Sequence, residues 1–415
     1  MTDYTDRWLL PDGVEEILPS YAQKVEQSRR RLLDIYQLWG YQLVIPPLLE
    51  FTDSLLTGVG DDLDLLTVKI TDQLSGRTMG LRSDITPQAA RIDAHSLKCQ
   101  GVSRLCYAGT VVHAKPQFLQ AVRTPFYTGV ELFGEAGLNA DVEVILLLLE
   151  SLNDTIDVDI TIDFGHVSIY RALVNLAGFN PDQESQLFKL LQTKAITDIE
   201  SWLSRQTVND KVISWLLALP DLSGDRSILD KAREQLADAP AQVLDAINQL
   251  THIADIIQVR YPKVNLYFDL SELRGYHYHT GIVFAAYAPG MGNAIANGGR
   301  YDSIGKVFGR SRSATGFSIN LTAIMPLLKH SKTTHSIHAP FTNDHRQWQA
   351  IQALRQAGET VICGFSEKGS NDSLSVEESK TEEYDHHREF VCDRKLVLEE
   401  GEYKVRPLIN NTSGE

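Results

Sequence analysis

Strand and helix patterns follow one another along this chain in an order that leaves few possible folds. The patterns typical of strands fall into two blocks, with a long run of helix patterns between them. The predicted strands are 105–112, 126–133 and 158–164 in the first block, and 264–270, 281–287 and 314–319 in the second. Neither block alternates regularly between strand and helix, as a parallel sheet built from βαβ units requires. The order therefore predicts an α+β fold with a mainly antiparallel sheet flanked by helices.

The helical run between the two blocks predicts an insertion within a single sheet domain. It covers residues 172–258, carries prolines near the expected turns, and contains more acidic than basic side chains. We therefore predict a core domain formed by residues 1–171 and 259–329, interrupted by this helical insertion. A length of 415 residues is sufficient for the two or three domains that such a division implies.

The end of the chain predicts a small, reduced C-terminal α/β domain at residues 343–415. Its predicted elements are a helix at 348–357, a strand at 360–364 and a hairpin at 390–398 and 403–408. The polar segment 330–342 predicts a linker between this domain and the core. The segment 366–389 is polar and acidic, and we expect it to be mobile.

The N-terminal part of the chain combines helix patterns with a short strand that ends in a pair of prolines. The predicted elements are helices at 21–39, 86–95 and 138–152, a strand at 41–47 and a hairpin formed by 64–72 and 77–82. Pro46 and Pro47 cannot donate backbone hydrogen bonds to a ladder. They therefore mark the edge of a sheet or an interface.

A net charge of −15 narrows the range of partners. An acidic chain argues against nucleic acid, because phosphate binding depends on clustered Lys and Arg. The longest aliphatic run, residues 144–149, is too short to cross a bilayer and predicts a buried helix. The charged N-terminus lacks an apolar signal core, and the four cysteines have no metal-finger spacing. We therefore expect a cytoplasmic protein with no nucleic-acid or membrane partner, no cofactor and no metal.

Four sequence motifs lie on or beside the predicted strands. They are Leu81-Arg-Ser-Asp-Ile-Thr-Pro-Gln-Ala-Ala-Arg91, Gly129-Val-Glu-Leu-Phe-Gly134, Leu273-Arg-Gly-Tyr-His-Tyr-His-Thr-Gly-Ile-Val-Phe284 and Asn297-Gly-Gly-Arg-Tyr-Asp302. In this combination the chain resembles the histidyl-tRNA synthetase family over residues 1 to about 330. The resemblance implies the antiparallel sheet of class II aminoacyl-tRNA synthetases. It also matches Pro47 to the motif 1 proline of that class, which lies at a dimer interface.

The chain departs from this family at the positions where ATP would be bound. The stretches 107–117 and 316–324 place His113 and Ala323 where the resemblance implies phosphate-binding arginines, and the second stretch is predicted to open a helix. Guanidinium groups orient a triphosphate, and losing one transition-state donor typically costs ~10²–10³ in rate. Losing two would cost about 10⁴–10⁶. We therefore expect a chain that does not adenylate an amino acid at a useful rate.

The amino-acid pocket that the resemblance implies is partly retained. Its candidate histidine-binding residues are Asp84, Thr86, Tyr127, Glu131, Arg274, Tyr278 and His279. By resemblance, Asp84 and Thr86 would bind the α-ammonium group of histidine, Glu131 its imidazole ring and Arg274 its carboxylate. Carboxylates that face an amine, with an arginine that faces a carboxylate, form a chemically sensible cradle for an amino acid.

Other interpretations of the same residues stay open at this point. Tyr127 and His279 differ from the residues of the family and could reshape the pocket or fill it. Arg274 could form a salt bridge in the core, and Asp84 and Glu131 could be solvated carboxylates at strand ends.

Two further groups of residues have a structural interpretation beside a functional one. His277 and His279 share one face of a strand pattern, but no third ligand is evident, so we do not expect a metal site. Gly298 and Gly299 could cradle a phosphate, although a tight turn with close packing is favoured.

A retained pocket without its two arginines resembles the regulatory subunits of the short-form ATP phosphoribosyltransferase, which are paralogues of histidyl-tRNA synthetase. The resemblance implies a non-catalytic chain that forms a self-dimer and binds the catalytic subunit in a hetero-octamer. It also implies that the chain is required for the first step of histidine biosynthesis, through activation of that subunit and feedback by free histidine. Two alternatives remain: an active histidyl-tRNA synthetase with unusual residues, and an amino-acid-sensing module for another partner.

Overall fold

The computed structural model describes six stretches of the chain: residues 8–57, 61–117, 121–276, 278–329, 334–365 and 390–408. The segment predicted to be mobile, 366–389, and His277 lie outside these residues. The chain divides into two compact units, and each is described by itself. The first unit comprises residues 1–16 and 25–328, and the second comprises residues 17–24 and 329–415.

The first unit is built on one large sheet and one small sheet. Its strands are β1 Gln42–Leu43, β2 Leu49–Phe51, β3 Val68–Thr71, β4 Thr78–Leu81, β5 Ser103–Thr110, β6 Phe126–Phe133, β7 Thr161–His166, β8 Ser223–Gly224, β9 Asn265–Asp269, β10 Ile282–Tyr287, β11 Ala296–Arg300 and β12 Ala314–Asn320. The large sheet has the order β1-β5-β6-β12-β11-β10-β7-β9-β8, and the small one has the order β2-β4-β3. Within the large sheet only the pairs β1–β5 and β7–β9 are parallel. The predicted mainly antiparallel α+β fold is confirmed.

Helices cover the sheet and fill the stretch between β7 and β9. They are α1 Pro19–Leu38, α2 Thr52–Leu55, α3 Asp61–Leu66, α4 Thr86–Arg91, α5 Leu138–Thr155, α6 Val167–Ala177, α7 Pro181–Gln192, α8 Ile196–Leu203, α9 Asp210–Ala218, α10 Ser227–Gln235 and α11 Ala241–Arg260. A π-helical turn, Ile92–Leu97, continues α4, and short 3₁₀ turns lie at Leu219–Asp221, Ile304–Phe308 and Met325–Leu327. Helices α6–α11 occupy the region where the sequence predicts a helical insertion, although α6 already begins at Val167.

Helix α5 forms the centre of the hydrophobic core. Its aliphatic run, residues 144–149, is at most 3% exposed, as predicted for a buried helix. The helix packs against β6 and β12, and α11 packs against α5 and β7. Each buried aliphatic side chain of this kind contributes about 1.5–3 kcal/mol relative to exposure. The packing therefore holds β6 and β12, which carry residues of the site described below, on a rigid base.

The helical segment begins its second helix with strong local signals. Asn180 caps α7 in a capping box with Gln183, and Pro181 occupies the first helical turn. These are preferred residues at a helix start, because they satisfy or remove backbone N–H groups that lack a partner. The buried leucines and tryptophans of α7–α9 join the same hydrophobic cluster as α5 and the sheet. The helices therefore share one core with the sheet.

The second unit contains a mixed four-stranded sheet and one long helix. Its elements are β13 Thr334–Ala339, α12 His345–Gln356, β14 Thr360–Cys363, β15 Phe390–Glu399 and β16 Glu402–Pro407. The strand order is β14-β13-β15-β16, with β13 parallel to both of its neighbours and β15 antiparallel to β16. A small cluster that includes Ile337, Ile351 and Leu396 forms its core.

Four predictions about single elements are wrong. The predicted hairpin strand 64–72 is helical at its start, because residues 64–66 belong to α3, and strand β3 begins only at Val68. The predicted linker contains strand β13, which is held by parallel pairing to strands that come later in the chain. Residues 316–320 continue strand β12, and residues 321–324 form a turn where a helix is predicted to open. Gly298 and Gly299 lie in strand β11 instead of a tight turn, although their predicted close packing is confirmed. A Cβ atom on Gly298 would overlap the Phe284 ring.

In the described part of the chain, no helix combines the length and the apolar composition that crossing a bilayer requires.

Candidate functional site

Two adjoining cavities open beside the central strands of the large sheet. The small cavity has a volume of about 150 Å³ and the large one of about 470 Å³. They share Asn297 of β11 and Ser318 of β12 as a common wall. An apolar cavity as large as the small one accepts a single benzene ring. The pair therefore has room for a ring-sized group on one side and a larger group on the other.

Glu131 lies at the base of the small cavity and is 1% exposed. It accepts a hydrogen bond at Oε1 from the Tyr107 hydroxyl, 3.2 Å away, and one at Oε2 from the Tyr301 hydroxyl. Gly316 on the neighbouring strand β12 leaves room for this carboxyl, because a Cβ atom there would collide with it. Burial raises the pKa of the Glu131 carboxyl to about 8, and nearby Asp84 adds to the rise. A cationic group bound here would favour the ionised form.

The start of helix α4 supplies the opposite side of the small cavity. Asp84 Oδ1 accepts a hydrogen bond of 3.0 Å from the backbone N–H of Thr86, which fixes the turn into the helix. The Thr86 hydroxyl lies 3.2 Å from the Tyr107 hydroxyl, which links this turn to Glu131. Asp84 and Glu131 are the two carboxyl groups among the lining residues, and no Lys or Arg is among them. This cavity therefore favours a cation over an anion.

Tyr278 and His279 form the wall of the small cavity next to Tyr301. The Tyr278 ring stacks on that of Tyr301 with the centroids 4.9 Å apart, and its buried hydroxyl has no hydrogen-bond partner among the described residues. His279 Nδ1 lies 3.3 Å from the carbonyl oxygen of Arg300. Burial lowers the pKa of His279 to about 4, and the Arg274 charge adds to this effect. The imidazole is therefore neutral near pH 7, and the Tyr278 hydroxyl is free to meet a ligand.

Arg274 lines the large cavity near the wall that the two cavities share. Its Nη1 lies 3.4 Å from Asn297 Oδ1, and its Nη2 donates to the Tyr287 hydroxyl at 2.9 Å. The guanidinium also forms an ion pair of 2.8 Å with Glu272. Tyr127 lines the large cavity as well, and burial raises the pKa of its hydroxyl to about 12.

His113 and Ala323 both line the large cavity, and neither presents a positive charge to it. His113 is 3% exposed, its Nε2 lies 3.1 Å from the Ser83 carbonyl oxygen, and burial lowers its pKa. Ala323 follows β12, where its backbone N–H donates to the Asn320 side chain at 3.0 Å. Arg274 is the one Lys or Arg among the described lining residues, and it is already paired.

The structure thus distributes the seven candidate histidine-binding residues over both cavities. Asp84, Thr86, Glu131, Tyr278 and His279 line the small cavity, whereas Tyr127 and Arg274 line the large one.

Sequence reasoning missed four residues of the site. They are Tyr107, Asn297, Tyr301 and Ser318. The signal for Asn297 and Tyr301 was present, because both lie within the motif Asn297–Asp302 that carries the resemblance. Tyr107 and Ser318 lie on strands beside Glu131, where only the pairing of the strands reveals their proximity.

Arg300 of the same motif has a structural role. It is paired with buried Asp141 at the start of α5 at 2.9 Å, and it also contacts Asp302 at 3.2 Å. The pair ties β11 to α5. Among the described residues, no group of three or more His, Cys, Asp or Glu side chains is placed to hold a metal ion.

Comparisons with known proteins identify the family. The model of the family described as histidyl-tRNA synthetase matches residues 13–324, and that of the ATP phosphoribosyltransferase subunit HisZ C-terminal domain matches residues 334–406. The chain is 53% identical to an ATP phosphoribosyltransferase regulatory subunit of Teredinibacter turnerae, over 97% of this chain and 99% of the relative. The chain belongs to the family of ATP phosphoribosyltransferase regulatory subunits. This membership gives it a regulatory, non-catalytic role in histidine biosynthesis, and the resemblance inferred from the motifs is confirmed.

Two solved structures have a fold similar to that of this chain. One is an ATP phosphoribosyltransferase regulatory subunit/histidyl-tRNA synthetase from Bacillus halodurans, with a TM-score of 0.77, 26% identity and coverage of 89% of this chain and 96% of that chain. The other is from an ATP phosphoribosyl transferase (HisG:HisZ) complex of Thermotoga maritima, with a TM-score of 0.56, 17% identity and coverage of 74% and 98%. The second likeness concerns the fold alone.

Proposed function

We propose that this chain binds the catalytic subunit of a short-form ATP phosphoribosyltransferase, activates it, and transmits feedback by free histidine. The observation that carries the proposal is the pair of cavities. One offers an amino acid carboxyl groups and a hydroxyl that has no partner among the described residues. In the other, Arg274 is the one Lys or Arg among the described lining residues, whereas a triphosphate needs several cationic groups. The site can therefore sense a ligand without performing chemistry on ATP.

The absence of adenylation follows from the charges around the large cavity. ATP at a reaction centre needs several positive groups to orient its phosphates as charge develops. His113 is buried, neutral and bound to a backbone carbonyl, and Ala323 has no polar side chain. Arg274 alone would have to leave Glu272 and serve the whole triphosphate. We attribute the lost catalysis to these positions.

The arrangement of polar groups supports an amino acid as the ligand, and we propose that it is histidine. The α-ammonium group would lie near Asp84 and Thr86, and the imidazole ring near Glu131 and Tyr278. The carboxylate would then reach the shared wall, where Arg274 lies beside Asn297. Histidine can inhibit the assembly only if it binds two conformational states with different affinities, typically by ~1–3 kcal/mol.

The proposed assembly is a self-dimer that joins the catalytic subunit in a hetero-octamer. Strand β1 lies at the edge of the large sheet, and the strand and the segment that follows it together expose Leu43, Ile45, Pro47 and Leu48. Such a row of apolar side chains is typical of a protein interface. The fold relative from Thermotoga maritima belongs to a HisG:HisZ complex, which supports the choice of partner.

The proposed compartment is the cytoplasm. All four cysteines are free in the structure, as expected for a chain that works in a reducing environment.

A mixing experiment tests the proposal. The purified chain and the cognate catalytic subunit should co-elute from a size-exclusion column, and the mixture should turn over faster than the catalytic subunit alone. Histidine should lower the rate of the mixture. Separate elution together with an unchanged rate would contradict the proposal, and histidine-dependent exchange between ATP and pyrophosphate by this chain alone would establish the synthetase alternative instead.

A further inference from the structure

Glu272 accepts hydrogen bonds from both the backbone and the side chain of Arg274. Its Oε2 accepts from Arg274 Nη2 at 2.8 Å, and its Oε1 accepts from the backbone N–H of Arg274 at 2.6 Å. The two residues are two positions apart in the turn between β9 and β10, so the contact is local and easily formed. Arg274 is 41% exposed at its side chain and Glu272 19%. The guanidinium that would bind a ligand carboxylate is therefore already bound to a carboxylate of the same chain.

The surroundings of Glu272 favour its pairing with Arg274. The side chain of Glu272 packs against Gly165 of β7. Two further carboxyl groups, those of Asp163 and Asp269, lie nearby, and Asp163 is close enough to feel the charges of Glu272 and Asp269. Burial raises the pKa of Asp163 to about 6, and the charges of Glu272 and Asp269 add to the rise. A buried oxygen of Asp163, Oδ1, has no hydrogen-bond partner among the described residues. The position is thus crowded with negative charge.

The positive charge near this acidic group is divided between two residues. Lys194 forms an ion pair of 2.7 Å with Asp269, and Arg274 forms the pair with Glu272. If the Arg274 side chain turned to another anion, Glu272 would keep the hydrogen bond from the Arg274 backbone N–H. It would lose the hydrogen bond and the positive charge of the guanidinium while it stayed beside like charges. Such a loss carries a free-energy cost, because like charges at close range repel.

We propose that Glu272 acts as an internal competitor that holds the carboxylate position of the pocket until the α-carboxylate of an amino acid displaces it. This rests on the proposed function, in which the pocket binds a free amino acid. The Arg274 side chain lies at the shared wall, within 3.4 Å of Asn297, where the ligand carboxylate would arrive. Arg274 exchanges one carboxylate for another in the process. The affinity for the ligand is therefore lower than the pocket could provide, and it depends on the charge of Glu272.

The competition by Glu272 also distinguishes ligands that carry a carboxylate from ligands that do not. A ligand that carries a carboxylate gains the Arg274 contact in return for displacing Glu272. A ligand that has a hydroxymethyl group in that place gains no charged contact and leaves Glu272 where it is. The charge of Glu272 therefore affects the first kind of ligand and not the second.

The test compares histidine with histidinol, in which a hydroxymethyl group replaces the carboxylate. Isothermal titration calorimetry of the full chain would give both affinities for the wild type, for Glu272→Gln and for Glu272→Ala. Both variants should bind histidine about three- to tenfold more tightly than the wild type. Their affinity for histidinol should stay within about twofold of the wild-type value. The use of two variants guards against a fold defect specific to one of them, and circular dichroism reports their folding.

A matched control separates this effect from a change in net charge. Glu26→Gln removes one negative charge from α1, where Glu26 pairs with Arg29 and Arg30, and it should leave both affinities unchanged. Equal histidine affinity in the wild type and in both folded Glu272 variants would overturn the role of Glu272 and leave the pocket standing. Failure of histidine to bind the wild type or any variant would overturn the amino-acid pocket itself, and with it the competitor.

Discussion

Glu131 shows how one buried group can make the site sensitive to its surroundings. The carboxyl is held by the hydroxyls of Tyr107 and Tyr301 in a cavity that also contains Asp84. Burial raises its pKa from 4.5 to about 8 in the folded chain. The folded state therefore keeps a proton on Glu131 that the unfolded chain loses at lower pH. It follows that this residue stabilises the fold below its unfolded pKa and that the contribution is lost as the pH rises towards the folded pKa.

Glu131→Gln should remove this part of the pH dependence. As the pH rises from about 4.5 to about 8, the free energy of unfolding should fall less steeply for the variant than for the wild type, because the amide does not titrate. Urea unfolding at several pH values measures the difference. Tyr301→Phe is the matched comparison, because it removes a hydrogen bond that favours the ionised carboxyl, so the decline should extend to higher pH. Parallel curves for wild type and Glu131→Gln would contradict the assignment.

At this scale the sequence predicted residue types more reliably than contacts. The motifs identified Glu131, Asp84 and Thr86, which the structure brings to one small cavity. They did not reveal that Arg274 is paired with Glu272, although Glu272 lies only two residues away. Which side chain a guanidinium meets depends on the course of the turn and on packing against β7, and neither can be read from residue spacing.

At the scale of elements, the helical segment supports the turn that lines the pocket. Arg171 of α6 donates through Nη2 to the carbonyl oxygens of Tyr276 and His279, each at 3.1 Å. The hydroxyl of Tyr276 donates to Glu184 of α7 at 2.5 Å, and the guanidinium of Arg171 lies 5.0 Å from the centre of the Tyr276 ring. Two helices thus fix the residues on either side of Tyr278. The helical segment and the pocket are therefore mechanically connected.

Arg171→Ala should weaken histidine binding by roughly three- to tenfold, because two carbonyl oxygens of the turn lose the hydrogen bonds that the charged Arg171 donates to them. Arg171→Lys retains a positive donor and should lose less. Calorimetric titration with histidine gives both affinities, and thermal unfolding shows how far stability changes. A lower melting temperature with unchanged histidine affinity would assign Arg171 a purely structural role.

Regular elements with strong local signals were predicted well, and those that depend on distant partners were not. Strand β6 has the predicted bounds, Phe126–Phe133, because its apolar alternation and the polar loop before it are local features. Strand β11 contains Ala, Asn and two glycines, which have little strand propensity, and it exists because β10 and β12 pair with it on both sides. Strand β13 likewise depends on parallel pairing with β14 and β15. Propensity cannot predict strands of this kind.

For the whole molecule, the proposed regulatory role requires the chain to assemble with the catalytic subunit and, in the proposed self-dimer, with a second copy of itself. A regulator that performs no chemistry can act only by favouring one state of its partner. The edge of the large sheet offers a place for self-association. Arg82 is buried there and donates to the carbonyl oxygens of Pro46 and Thr110 at 2.9 Å each, which fixes the proline segment against β5. The apolar residues of this segment therefore protrude from a rigid base.

Ile45→Glu should disrupt the proposed self-dimer. Ile45 is 84% exposed in the single chain, and burying such a side chain contributes about 1.5–3 kcal/mol. A symmetric dimer buries it twice, so the loss should weaken dimerisation by about 100-fold or more. Light scattering coupled to size-exclusion chromatography should show a monomer at concentrations where the wild type is a dimer.

Leu74→Glu is the control for that experiment, because Leu74 is 97% exposed in the turn between β3 and β4. It introduces the same charge at an apolar, exposed position outside the proline segment, and the dimer should persist. A wild-type monomer would contradict the proposed self-dimer, and a dimer that survives Ile45→Glu would place the interface elsewhere. If the dimer is the unit that the catalytic subunit recognises, Ile45→Glu should also abolish activation in the mixing experiment, whereas Leu74→Glu should activate as the wild type does. Activation by a proven Ile45→Glu monomer would show that regulation needs only one copy of this chain.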